Sequence, residues 1–174
     1  MSVALGAIAA QAHSLTKETD EVVNEILDHL ETHAKDLILC RRSTMEIEAH
    51  SDSGHLNESK DHSGASKRIC LSEDAHAPTF HGAVLTISQI IKYVMTSPTE
   101  VELASLFVAA KKCVEIKQVS EEMGWPQTLT PIQVDNTTSV GVVNDNIIPK
   151  QTNSMEMPLW LLRCRINQRQ FSPY

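Results

Sequence analysis

The chain has 174 residues, enough for one domain with a sizeable core or for one domain with an appendage. An apolar content of 41% is that of an ordinary globular protein and excludes a disordered one. The formal net charge of −7 argues against a dedicated nucleic-acid-binding protein, which needs clustered Lys and Arg, but not against an enzyme that meets phosphates through metal ions.

The first forty residues read as helical. Val22, Val23, Ile26, Leu27 and Leu30 recur at helical spacing, with Asp20, Glu21, Glu25, Asp28 and Glu31 on the other face. This amphipathic helix is expected to pack on something and carries no evident chemistry. A boundary follows near Arg41-Arg42-Ser43, dividing a helical tail (1–42) from the main domain (43–174).

Met45 to His50 alternates apolar and polar with period two, as a half-buried strand does, and is expected to end at Ser51-Asp52-Ser53-Gly54. Ala65 to Ser72 forms a second strand and Ala83 to Ile87 a third, so the three read as an antiparallel meander. Ser97-Pro98-Thr99-Glu100 then combines an N-cap, a proline at the first helical position and a glutamate at the third, which is a capping box. Leu103, Leu106, Phe107, Ala110 and Val114 supply the apolar stripe of that helix, and Gly124 closes it. Pro131 to Asp135 is a short strand, Asn136-Thr137-Thr138 opens a short helix through Val143, and Met155 to Gln168 is a last helix. The order implies an α/β fold: a mixed sheet made of the meander plus a strand added in parallel through the long crossover helix.

Cys40, Cys70, Cys113 and Cys164 are scattered, with no pair at zinc-binding spacing, and read as reduced thiols. The N-terminus lacks the basic region and apolar run of a signal peptide, and no stretch approaches the ~20 apolar residues of a membrane span. The expectation is an intracellular protein, cytoplasmic or nuclear, with no membrane partner.

Four carboxylates stand where elements begin or end: Asp52, Glu102, Asp135 and Glu156. Acidic side chains gathered from separate elements can hold hard divalent cations, and two such ions ~4 Å apart clamp both sides of an in-line phosphoryl transfer. Each also has a simpler reading. Asp52 before Ser-Gly suits a turn, Asp135 an N-cap, and Glu102 and Glu156 the positive end of a helix. Downstream, Lys150, Arg163, Arg165 and Arg169 against Glu156 make the last segment locally basic; Lys150, Arg163 and Arg165 are candidate backbone contacts or a solvated helix face.

Ala49 to Phe171 resembles the ribonuclease H region of copia-type retrotransposon polyproteins. His50-Ser51-Asp52-Ser53-Gly54 is similar to the family's first aspartate segment, and Ser97 to Leu103 to its Ser-Ser-Thr-Glu-Ala-Glu-Tyr signature, whose second glutamate falls on Glu102. Val134-Asp135-Asn136 resembles the segment of the third carboxylate. Lys150 to Glu156 resembles the Arg-Thr-Lys-His-Ile-Asp segment, with Glu156 at its acidic position, Ser154 where the family has His and Pro158 where it has a basic residue. Ala4 to Leu39 looks like the tail of the preceding reverse transcriptase, so the chain is expected to be a fragment of a polyprotein, C-terminally truncated.

The resemblance implies a five-stranded mixed sheet flanked by helices, with Asp52, Glu102, Asp135 and Glu156 as catalytic metal ligands. It also implies two Mg²⁺ or Mn²⁺ ions and hydrolysis of the RNA strand of RNA–DNA hybrids, with the rest of a retroelement polyprotein as a partner. The alternatives are a non-catalytic remnant of the same fold, and a plain α/β interaction domain whose acids are caps and turns.

Overall fold

The computed structural model describes residues 5, 8–9, 16–38, 40, 43–58, 62–72, 82–92, 95–147 and 155–174. In chain order these form α1 (Lys17–Thr32), β1 (Glu46–Glu58), β2 (His62–Ser72), β3 (Ala83–Ile91), α2 (Pro98–Glu122), β4 (Thr130–Val134), α3 (Thr137–Val143), α4 (Glu156–Asn167) and β5 (Phe171–Pro173). The five strands make one sheet in the order β3-β2-β1-β4-β5. β1 pairs antiparallel with β2, and β2 with β3, while β4 joins β1 and β5 joins β4 in parallel. This is the expected mixed five-stranded sheet flanked by helices.

Alternation along the central strands decides where the core lies. Ile47, Ala49 and Ser51 of β1 are buried, as are Ala65, Lys67 and Ile69 of β2 and Ile132 and Val134 of β4. The register sets Ala49 beside both Ile69 and Ile132, so these side chains share one face. α2 lies over that face against β1, β2 and β4, with α3 and α4 packed beside it. Val101, Leu103, Leu106, Ala110 and Cys113 of α2 are buried there.

Four strands differ from the pattern reading: β2 starts at His62 rather than Ala65, β3 runs on to Ile91 rather than ending at Ile87, and β1 and β5 differ more. β1 does not stop at Ser51-Asp52-Ser53-Gly54. The backbone stays paired with β2 through Gly54, opposite Gly64, and becomes irregular only between Gly54 and Glu58. Asp52 is therefore a mid-strand residue, and ladder hydrogen bonds override the local turn preference of Ser, Asp and Gly. β5 carries no periodic signal; it is held by backbone bonds, with the Val134 amide donating to the Tyr174 carbonyl at 3.0 Å and the Tyr174 amide to Ile132 at 3.1 Å.

The helix α2 begins as its sequence dictates. Ser97 Oγ accepts from the Glu100 amide at 3.2 Å, with Pro98 at the first helical position. The Glu100 carboxylate reaches one residue further back than a capping box requires, accepting from the Thr96 amide at 2.8 Å and the Thr96 hydroxyl at 2.6 Å. α1 is capped by Thr16, yet among the described residues only its Thr19 is buried, and Val22, Leu27 and Leu30 of its apolar stripe are exposed. The four cysteines are free thiols; burial pushes Cys113 up to about 12.

At its far end α2 stops on Gly124, whose φ of +90° lies in the left-handed region, and the Trp125 amide returns to the Ser120 carbonyl at 2.9 Å. A Cβ placed on Gly124 meets nothing within 4 Å, so only backbone strain opposes a side chain. Gly124→Ala is therefore expected to lower unfolding free energy by about 1 kcal/mol in urea titrations, with no change in the denaturant slope.

Candidate metal centre

Strand pairing brings the first two acids together. Ser51 of β1 is in register with Val134, the last residue of β4, so the residues that follow, Asp52 within β1 and Asp135 just past β4, come side by side. Glu102 arrives from above, in the early turns of α2. The helix is pinned to β1 there, because Ser105 Oγ lies 2.9 Å from Ser51 Oγ and donates to the Asp52 carbonyl at 3.1 Å. The result is a cluster in which one carboxylate oxygen from each of Asp52, Glu102 and Asp135 lies within 4.8 Å of the others. The cleft above it, about 430 Å³, is also lined by Ser53, His55, Asn136 and Thr137.

The three acids are not equivalent. Asp52 and Asp135 are exposed, whereas Glu102 is 4% exposed. Burial pushes the Glu102 carboxyl up to about 7; a hydrogen bond from Ser53 Oγ at 2.7 Å opposes the shift, and the charges of Asp135 and Asp52 reinforce it. Its Oε2 is buried without a hydrogen-bond partner. A desolvated carboxylate oxygen facing two more carboxylates needs a proton or a cation, and three oxygen donors of this kind suit a hard divalent ion.

The other residues singled out in the sequence are placed differently. Glu156 is the first residue of α4, exposed, and does not belong to the cluster of three. Met155 is the N-cap and Pro158 falls in the first turn, where its missing N–H costs nothing. α4 packs against α2, α3 and β5. Arg163 is engaged within the protein: Nη2 donates to the Val142 carbonyl at 2.6 Å and Nη1 lies 2.9 Å from Asp145. Arg165 donates to Gln170 Oε1 at 2.7 Å. Both tie α4 to its neighbours. Lys150 lies outside the described residues.

Lys67 went unnoticed in the sequence. It is 1% exposed on β2, opposite Ser51, with no hydrogen-bond partner for Nζ. Burial lowers it to about 8, while the Glu102 charge holds it up. The signal was available: in Ala65-Ser66-Lys67-Arg68-Ile69, lysine falls on the same parity as the two buried residues.

No protein-family model matches the chain, and no curated protein matches it by sequence. Among solved structures it is similar to LC11 ribonuclease H1, isolated from compost by a metagenomic approach, at 11% identity over 75% of this chain and 83% of that one, with a TM-score of 0.52. A structure of LC11 ribonuclease H1 in complex with an RNA/DNA hybrid matches at 11% identity over 74% of this chain and 84% of that one, with a TM-score of 0.50. The fold is ribonuclease H-like. Among the described residues, no helix is long and apolar enough to cross a membrane.

The two perturbed groups make stability depend on pH with opposite signs. Glu102 binds its proton more tightly when folded, so its contribution is full below about 4.5 and is lost as pH rises through about 7. Lys67 binds its proton less tightly when folded. The unfolded chain therefore holds more protons between about 8 and 10.5, and stability rises across that window. Urea denaturation at stepped pH should show that Lys67→Met raises stability at pH 7 and removes its part of the alkaline rise. An alkaline limb identical in parent and variant contradicts this account of Lys67.

Proposed function

We propose that residues 43–174 are a retroelement-derived ribonuclease H domain of copia type, which hydrolyses the RNA strand of RNA–DNA hybrids with two divalent ions, Mg²⁺ or Mn²⁺. In this reading residues 1–42 are the tail of a preceding reverse transcriptase, the remainder of the polyprotein is a partner, and the protein acts inside the cell. The observation that carries the proposal is the convergence of Asp52, Glu102 and Asp135 from a strand, a helix and a strand end onto one point. The sequence resemblance assigns these three residues, together with Glu156, to the metal, and the shared fold is consistent with it.

Asp52, Glu102 and Asp135 would hold the ions. Bound there, divalent ions supply an activated water and neutralise charge developing on the leaving oxygen. The chain's own residues prepare that chemistry. Ser53 fixes the Glu102 carboxylate through its 2.7 Å hydrogen bond, leaving Oε2 as the free donor. Asn136, which lines the cleft, caps α3 by accepting at Oδ1 from the Thr138 and Ser139 amides and so holds the Asp135 turn in shape. Together with Ser53 and Thr137 it offers polar contacts suited to a 2′-hydroxyl, the group that separates RNA from DNA. Lys67 supplies a buried positive charge behind Glu102.

A weakly active or inactive remnant is the second reading, favoured by the position of Glu156 outside the cluster. Incubation with a labelled RNA–DNA hybrid separates the two: the parent should cleave the RNA strand with Mg²⁺ or Mn²⁺ and stop on chelation. No cleavage with either ion leaves the remnant.

Neighbouring acids give the sharper expectation. Glu102→Gln should reduce cleavage at least ~100-fold with the fold intact, since a neutral amide replaces a ligand. Glu100→Gln should keep most activity, because an amide oxygen can still accept from Thr96. Glu156→Gln should change metal binding by less than about threefold, as expected of an exposed charge outside the site. Equal loss in the Glu100 and Glu102 variants contradicts the separation of roles.

A further inference from the structure

Away from the cleft, the end of α1 carries a second set of metal-ligating side chains. His29 and His33 are spaced i, i+4 and share a helix face. Although His33 is the C-cap, its amide donates to the His29 carbonyl at 2.9 Å, which keeps both residues on one helical turn. Their imidazole centroids lie 4.4 Å apart with the planes tilted by 41°. Just beyond the helix, Asp36 Oδ2 lies 3.1 Å from His33 Nδ1.

That last contact places a carboxylate beside one ring nitrogen of His33. Asp36 sits beside Nδ1, and Nε2 is on the opposite edge of the ring. A carboxylate beside the nitrogen that faces away from the ion is the usual support of a metal-bound imidazole. His33 and Asp36 are 46% and 77% exposed, so the pair is open to an ion from solvent. Glu25, one turn before His29, is also exposed and adds negative charge on that side.

We propose that His29 and His33 form a chelating site for a borderline transition-metal ion of the Zn²⁺ or Ni²⁺ type, with Asp36 orienting His33, and that binding clamps the last turn of α1. The geometry is close to what chelation requires. With metal–nitrogen bonds of about 2.0–2.1 Å, two imidazoles on one ion have centroids roughly 5 Å apart, so the pair opens by about half an ångström. Ligand chemistry separates this site from the cleft. Imidazole nitrogen selects Zn²⁺, Ni²⁺ and Cu²⁺, whereas three carboxylates favour Mg²⁺ and Mn²⁺. The proposal stands independently of the nuclease reading.

The test uses the full chain without any histidine tag, titrated with Ni²⁺ at pH 7.5 and followed by calorimetry and by amide hydrogen exchange. Beside any Ni²⁺ taken up by the carboxylates of the cleft, one ion should bind here and slow exchange in the last turn of α1. His29→Ala and His33→Ala should each weaken binding at least about tenfold, and Asp36→Asn by about threefold, in line with losing a ligand and its orienting partner. Mg²⁺ should not slow exchange there. Alanine favours a helix, so the His29 variant keeps α1 intact, and unchanged circular dichroism checks this. Ni²⁺ affinity equal in the parent and His29→Ala, or last-turn exchange indifferent to Ni²⁺, overturns the proposal.

Discussion

Parallel pairing of β1 with β4 is the constraint on which the site rests. Once Ser51 stands beside Val134, the next residue of β1 and the first residue beyond β4 lie on adjacent tracks. Neither aspartate needs a special backbone conformation to reach the other; the ladder sets their separation. The third acid depends on a second contact. Ser105 reaches both the Ser51 hydroxyl and the Asp52 carbonyl, so the helix cannot slide along β1 without breaking hydrogen bonds buried from water. Glu102, one turn earlier on the same helix, is carried into place by that contact.

The layer between the sheet and α2 is graded along its length. At one end Ile47, Ile69, Leu106 and Cys113 make an ordinary apolar core. Towards the carboxylates the inward positions become Ser51, Ser53, Lys67, Glu102 and Ser105. Burying a carboxylate beside two others is costly, and the structure offsets the cost in part with one hydroxyl and one buried ammonium. The offset is incomplete, as the raised Glu102 carboxyl and the unpartnered oxygen show. Stability is given up at the place where a cation has most to gain.

Much of this was legible in the residues. The cap of α2 is local chemistry in Ser97, Pro98 and Glu100, and its length follows from an apolar stripe that ends at a glycine. Two-residue alternation located the face of β1 that carries Ile47 and Ala49. The extension of β1 through Asp52 was not legible, because Ser-Asp-Ser-Gly carries a turn signal and only pairing with β2 overrides it. β5 was invisible for a related reason: three residues with a proline have no period, and the strand exists through its bonds to β4. Of the four acids, three converge, and each of those belongs to an element touching β1 or continuing β4. Glu156 shares the helix-start setting that recommended Glu102, but its helix packs chiefly on α2, α3 and β5, whereas α2 lies over β1. Spacing cannot show that difference, because it arises from tertiary packing.

Crystals grown with Mn²⁺ and measured at the manganese absorption edge test the central claim most directly. The account predicts anomalous density between Asp52, Glu102 and Asp135, with Glu102 Oε2 as a ligand and Glu156 uninvolved. Density absent from that point at millimolar Mn²⁺, or present only beside other acidic residues, contradicts it.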